Sequence, residues 1–211
     1  MKTFLRSGLL GTVTLLVMAL SARANLVTGT DPAFGANSLT IDTQTGLEWL
    51  DLGFTAGMSY NEVLADMQPG GMFSNYTFAT SQQVDNLYND AGVGNGGYYY
   101  VTAPAIGTLM SLLGPTETAD GYPGFIAFSG TSNGGGAQAA PGILPVGING
   151  NVFYEVTDGV TSGSSFGDSF SDPALADWLV QVPEPGIGSI GLVGLIGCGV
   201  VRRLKSQSGR P

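Results

Sequence analysis

Between two uncharged runs at its ends, the chain carries short stretches of regular hydrophobic patterning. Leu39-Thr40-Ile41 alternates as a strand does, and Asp42 to Gly46 reads as a turn. Leu47 to Leu52 sends Leu47, Trp49 and Leu50 toward a core. Ser59 predicts the N-cap of a helix from Tyr60 to Met67, and Glu62, three residues on, completes a capping box. Val63, Leu64 and Met67 give that helix an apolar side, and Pro69-Gly70-Gly71 ends it. Phe78-Ala79-Thr80 is extended and leads to Ser81, which predicts the cap of a second helix running to Asp90. Val84, Leu87 and Tyr88 recur there at helical spacing, and Gly92 is the stop. Ile106 to Leu113 suits a short helix or part of a loop. Phe125–Phe128, Asn151–Val156 and Trp178–Val182 read as strands. Two helices among several short strands predict an α+β domain. Glycine clusters at Gly92–Gly97, Gly134–Gly136 and Gly159–Gly167 predict long loops, with Asn133–Pro141 and Asp158–Asp172 the least regular. No fixed-period repeat is visible, which argues against a solenoid or propeller.

The two uncharged runs have the pattern of addresses. Lys2 and Arg6 precede the apolar run Leu9–Leu20, and Ala22-Arg23-Ala24 places small residues where a signal peptidase reads. This predicts a secretory signal helix cleaved before Asn25. At the other end Val182-Pro183-Glu184-Pro185 leads into Gly186–Val201 and then Arg202-Arg203-Leu204-Lys205. At ~1.5 Å per residue that run covers about 24 Å of a hydrocarbon core near 30 Å. It predicts a transmembrane helix whose arginines snorkel to the cytoplasmic interface, with the body outside. The division is therefore residues 1–24 as signal peptide, 25–182 as exported domain and 183–211 as tail.

Charge sharpens this division. The chain has 7 Lys+Arg, 16 Asp+Glu and no His, for a formal net charge of −9. Every basic residue lies either within the first 24 positions or at Arg202, Arg203, Lys205 and Arg210, and every acid but Glu184 lies within 25–182. The exported part is a polyanion without Lys, Arg or His. That composition excludes nucleic-acid binding, arginine clamps on phosphate, Schiff-base lysines and histidine-based triads. The lone cysteine, Cys198, falls in the apolar tail, so the domain carries no disulfide. Divalent cations outside the cell would relieve the acidic self-repulsion, either by general screening or at a specific site.

Few chemistries survive. A paired-carboxylate glycosidase is one, with Glu48 and Asp51 as candidates, although alternation on a strand points those two to opposite faces. No catalytic assignment is made. Asp168 and Asp172, in a Gly/Ser-rich stretch, are candidate calcium ligands, but the series lacks the glycine and terminal Glu of an EF-hand. Asn75-Tyr76-Thr77 matches a glycosylation sequon, a pattern common by chance. Tyr98 and Tyr100 would share one face of a strand, suited to stacking on sugar rings, with a half-buried strand as the alternative.

Pro183-Glu184-Pro185, an apolar span and Arg202-Arg203, in that order, resemble the PEP-CTERM sorting tail of exported proteins. The resemblance implies a Gram-negative bacterium that makes exopolysaccharide, and processing near Pro183-Glu184-Pro185 by an exosortase, an integral-membrane cysteine protease or transpeptidase. It further implies a precursor held transiently in the inner membrane and a mature form on the cell surface or outside the cell. A second series, Thr45-Gly46-Leu47-Glu48-Trp49-Leu50-Asp51, Ser59-Tyr60, Phe78-Ala79-Thr80-Ser81 and the closing Asp177-Trp178-Leu179-Val180, resembles exported PEP-CTERM proteins of unknown function. It is similar, more distantly, to the C-terminal domain of Legionella collagen-like proteins. That likeness implies a C-type-lectin-like mixed sheet with two flanking helices, first and last strands paired, and Trp49 and Trp178 packed near the pairing. The family's usual Trp-Arg before Ala-Thr is here Tyr76-Thr77, so any role of that cation is missing. The resulting expectation is a non-catalytic exported surface or matrix protein that binds exopolysaccharide, with calcium as the one cofactor considered. The alternative is a carboxylate glycosidase acting on that polysaccharide.

Overall fold

The computed structural model describes residues 26–94, 96–119, 121–132, 137–157 and 166–181. The signal and sorting residues Ala22, Ala24, Val182, Pro183, Glu184, Pro185, Arg202 and Arg203 lie outside the described residues, as do most of the glycine-rich stretches at 133–136 and 158–165. Among the described residues no helix is long and apolar enough to cross a membrane. The span expected at 186–201 is outside them.

The fold is α+β, with three α-helices and two sheets among the described residues. The first sheet holds β1 (Leu26–Asp31), β2 (Gly35–Asp42), β3 (Glu48–Leu50), β11 (Leu179–Gln181) and β4 (Thr77–Phe78) in the order β1-β2-β3-β11-β4. All its pairings are antiparallel. The second sheet holds β10 (Leu175–Asp177), β7 (Tyr122–Phe128), β8 (Gly142–Ile148), β9 (Asn151–Thr157) and β5 (Gly97–Tyr100) in that order, and β6 (Glu117–Ala119) pairs with β7. The second sheet is antiparallel except where β10 joins β7 in parallel. The helices are α1 (Tyr60–Asp66), α2 (Ser81–Asp90) and α3 (Pro104–Leu113).

Two expectations are corrected, and one open alternative, at Ile106–Leu113, is decided for a helix. The strand over Leu39–Ile41 does not pair with the last strand, because β3 lies between β2 and β11. Both ends of the body still share one sheet. The stretch before Leu113 is a third helix, started by Pro104 at its first position, with Ile106, Leu109, Met110 and Leu113 buried at helical spacing. The cap of α2 is Thr80, not Ser81. Thr80 accepts from the Gln83 amide while Gln83 accepts from the Thr80 amide, so the capping box sits one residue earlier. The Ser81 hydroxyl turns inward to the Ser129 hydroxyl at 2.9 Å. The Ser59–Glu62 capping box of α1 forms as the sequence predicts.

The centre of the first sheet is buried on both faces. Trp49 and Val180 pack into the main core with Val84, Leu87, Tyr88, Ile106, Leu109 and Leu113 from α2 and α3. Leu39, Leu50 and Leu179 pack the other way, on Val63, Phe73 and Tyr76. This explains why Trp49 and Leu50 are adjacent yet both buried: strand side chains alternate, and each face has its own core. Trp178 sits edge-on to Trp49 at 5.8 Å and to Phe125 at 5.5 Å, so both tryptophans are core residues closed to any ligand. The second sheet closes the main core with its inner face, through Phe125, Ala127, Ile143, Tyr154 and Val156. Among the described residues its outer face carries no packed helix over Leu144, Val146, Phe153 or the edge tyrosines.

Candidate functional site on the outer face of the second sheet

Register determines what that outer face displays. Tyr98 is opposite Glu155, which is opposite Leu144; Tyr100 is opposite Phe153, which is opposite Val146. Directly opposed residues share a face, so these six side chains form two rows across β5, β9 and β8. The intervening Tyr99 points inward, opposite the buried Tyr154, and its hydroxyl accepts from the Gly94 amide at 2.8 Å. Tyr98 and Tyr100 are 59% and 73% exposed, which decides between the two expectations for them: they are surface aromatics. Tyr100 rests against Phe153 with ring centroids 5.3 Å apart, and the Tyr98 hydroxyl donates to Glu155 at 3.3 Å.

At the other end of the rows lies a pocket of about 350 Å³, lined by Glu117, Ile126, Leu144, Phe166, Phe170, Asp172, Ala174 and Leu175. Its size is in the range of small-ligand sites. Phe166 and Phe170 stack at 4.6 Å and 12° to form one wall. Glu117 faces Gly124 across the β6–β7 pairing, and a side chain at Gly124 would meet the Glu117 carboxyl at 3.3 Å and Pro145 at 2.7 Å. The glycine therefore leaves the room that the carboxyl occupies. Asp172 is held by its own turn, its carboxyl accepting from the Ala174 amide at 2.9 Å. The Thr116 hydroxyl donates to the Ala174 carbonyl at 2.7 Å, tying this segment to the strand that bears Glu117. Burial pushes the Glu117 carboxyl above its ordinary range, and the negative charge of Asp172 pushes it further.

The remaining sequence candidates separate. Asp168 lies away from the pocket lining, on the α1 side, where its carbonyl accepts from the Asn61 amide at 3.0 Å. Its charge, together with that of Asp177, adds to burial in raising the Tyr60 phenol. Among the described residues no group of three or more His, Cys, Asp or Glu is placed to hold a metal ion. Glu48 accepts from the Gln181 amide at 3.0 Å, and Asp51 caps the 3-10 turn Leu52–Phe54 through the Gly53 amide at 2.8 Å. Each of those acids has a local structural task, and neither lines the pocket.

Glu117, Phe166, Phe170 and Asp177 are the residues that sequence reasoning missed. The first three converge only through the register of β6 on β7 and the return of the chain to β10. The one signal in the sequence was the Phe166/Phe170 pair interleaved with Asp168 and Asp172. Asp177 is buried on β10, its backbone amide and carbonyl both engaged by the Thr55 hydroxyl. Neither of its carboxyl oxygens has a hydrogen-bond partner among the described residues. Burial, with the Glu62 charge added, pushes this carboxyl up to about 8.

Compared with known proteins, the chain matches no family model, no curated protein and no solved structure.

Proposed function

We propose that this chain is an exported, non-catalytic surface or extracellular-matrix protein, processed by an exosortase, that holds exopolysaccharide on the outer face of its second sheet. The route is supported by the order of signal, acidic body, Pro183-Glu184-Pro185, apolar span and Arg202-Arg203. The tail engages signal peptidase, exosortase and the inner membrane in turn, and the mature form acts at the surface or beyond it. The binding role is carried by one observation: exposed Tyr98 and Tyr100, with the half-buried Phe153 against Tyr100, form an aromatic platform continuous with an acid-lined pocket. Flat aromatic faces bury the apolar faces of sugar rings, while carboxylates accept their hydroxyl hydrogens. The finer likeness to a C-type-lectin-like domain belongs to this proposal. What supports it is the return of β11 between β3 and β4, which brings both ends of the body into one sheet.

Co-sedimentation of the full chain, in mild detergent, with insoluble exopolysaccharide tests the binding role. The expected result is an apparent affinity, read from retention, that falls about thirtyfold when Tyr98 and Tyr100 are both replaced by alanine, since exposed stacking contacts of this kind each contribute roughly 1 kcal/mol. Equal retention of both proteins contradicts the platform.

A second reading, a carboxylate-dependent glycosidase, is favoured by the placement of Glu117 and Asp172 in one pocket, the first with a raised carboxyl. Such a pair divides naturally into proton donor and base or nucleophile. Release of reducing ends from polysaccharide, abolished in Glu117→Gln, would establish the enzyme. The binding proposal predicts that none are released.

A further inference from the structure

The rows on the outer face are also a statement about ligand charge. From Tyr98 through Glu155 and Leu144 to the strand beneath the Glu117 carboxyl there are three strand spacings, about 14 Å at ~4.8 Å each. An extended oligosaccharide lying across the strands would meet an aromatic at one end, the Glu155 carboxylate beside it, and Glu117 with Asp172 at the other. Every ionisable side chain along that path that carries charge is an acid, and residues 25–201 contain no Lys, Arg or His to answer them. Glu117 and Asp172 line the same pocket, and the charge of Asp172 adds to the burial that raises the Glu117 carboxyl.

We propose that this track selects a glycan of amino sugars with free, protonated amines over N-acetylated or uronate-bearing glycans. The inference rests on the polysaccharide-binding reading above and specifies its ligand class. An ammonium placed in the pocket pairs with Glu117 and Asp172 and removes their mutual repulsion. An acetamido group lacks that charge. A uronate adds a third negative charge to a site that has no counter-charge of its own. The stacked Phe166 and Phe170 and the Tyr100–Phe153 pair supply the flat apolar contact that distinguishes a sugar ring from a flexible basic chain.

Titration calorimetry of the full chain in mild detergent tests this with four probes: glucosamine oligomers, N-acetylglucosamine oligomers of the same length, oligouronates and oligolysine. At about pH 6 the glucosamine oligomers should bind about tenfold or more tighter than the acetylated ones, as expected for one charge-assisted contact. About 0.5 M salt should shrink that gap, since the Debye length falls to a few ångströms. Glu117→Gln with Asp172→Asn should remove the preference, whereas Tyr98→Ala with Tyr100→Ala should weaken both glucosamine and acetylated oligomers alike. Equal affinity for the two oligomers, or a preference for oligouronates, overturns the charge inference while leaving polysaccharide binding in place. Oligolysine binding as tightly as the glucosamine oligomers overturns the sugar specificity. Binding of none of the four probes overturns the charge inference, and co-sedimentation with exopolysaccharide then decides separately whether the binding role survives.

Discussion

At neutral pH the buried Asp177 carboxyl keeps its proton, because ionising it would strand a charge with no hydrogen-bond donor near Glu62. Its folded value of about 8 lies above the ordinary 3.8, so the folded state binds the extra proton between those limits. The stability linked to Asp177 is therefore complete below about pH 4 and is lost as pH rises through 8. A shift of that size corresponds to something on the order of 5 kcal/mol at full ionisation. Urea unfolding across that range should show stability falling with pH in the native protein and a flatter profile in Asp177→Asn. The sign reverses at Asp31. Burial pushes that carboxyl up, but the Tyr76 hydroxyl at 2.6 Å and the Ala33 and Phe34 amides outweigh it and hold the carboxyl below its usual range. Its contribution is present above the unfolded value and lost as pH falls. Tyr76→Phe leaves the Asp31 carboxylate short of a donor and should cost about 1–3 kcal/mol in urea unfolding. The Tyr76 phenol thus supplies a hydrogen bond to a buried acid.

Among the elements, the helices with strong local signals were legible and the pairings were not. Ser59 and Glu62 determine the start of α1 by themselves, because a capping box needs only residues three apart. The same logic misplaced the cap of α2 by one residue: Thr80 and Ser81 are both good caps, and only the partner at Gln83 decides for Thr80. Ser59→Ala and Thr80→Ala should each cost about 1 kcal/mol and add when combined, measured by thermal or urea unfolding. The strand β8 was invisible because Gly142, Pro145 and Gly147 read as loop. In the sheet, Gly142 is required by close approach, since a side chain there would meet the Phe125 carbonyl at 2.6 Å. The candidate site was half legible for the same reason. Tyr98 and Tyr100 declare a shared face by their spacing alone, whereas Glu117 and Asp172 meet only through tertiary register.

On the scale of the whole molecule, the formal charge of −9 averages a strongly acidic body with two basic ends. Self-repulsion in such a body should yield to screening, so added salt should raise the melting temperature smoothly. A bound calcium ion would act differently, with a rise that saturates at low calcium and reverses with chelator. The two sheets and three helices of the described residues all lie between Leu26 and Gln181, inside the two ends. The proposed role does depend on the ends, because a protein can hold exopolysaccharide only if it leaves the cell. Intact-mass measurement of the mature protein from cells expressing the full chain tests this most directly. The expected product begins at Asn25 and ends at or near Pro183-Glu184-Pro185, free or carrying an attached group there. A product that still spans Met1 to Pro211 would contradict it.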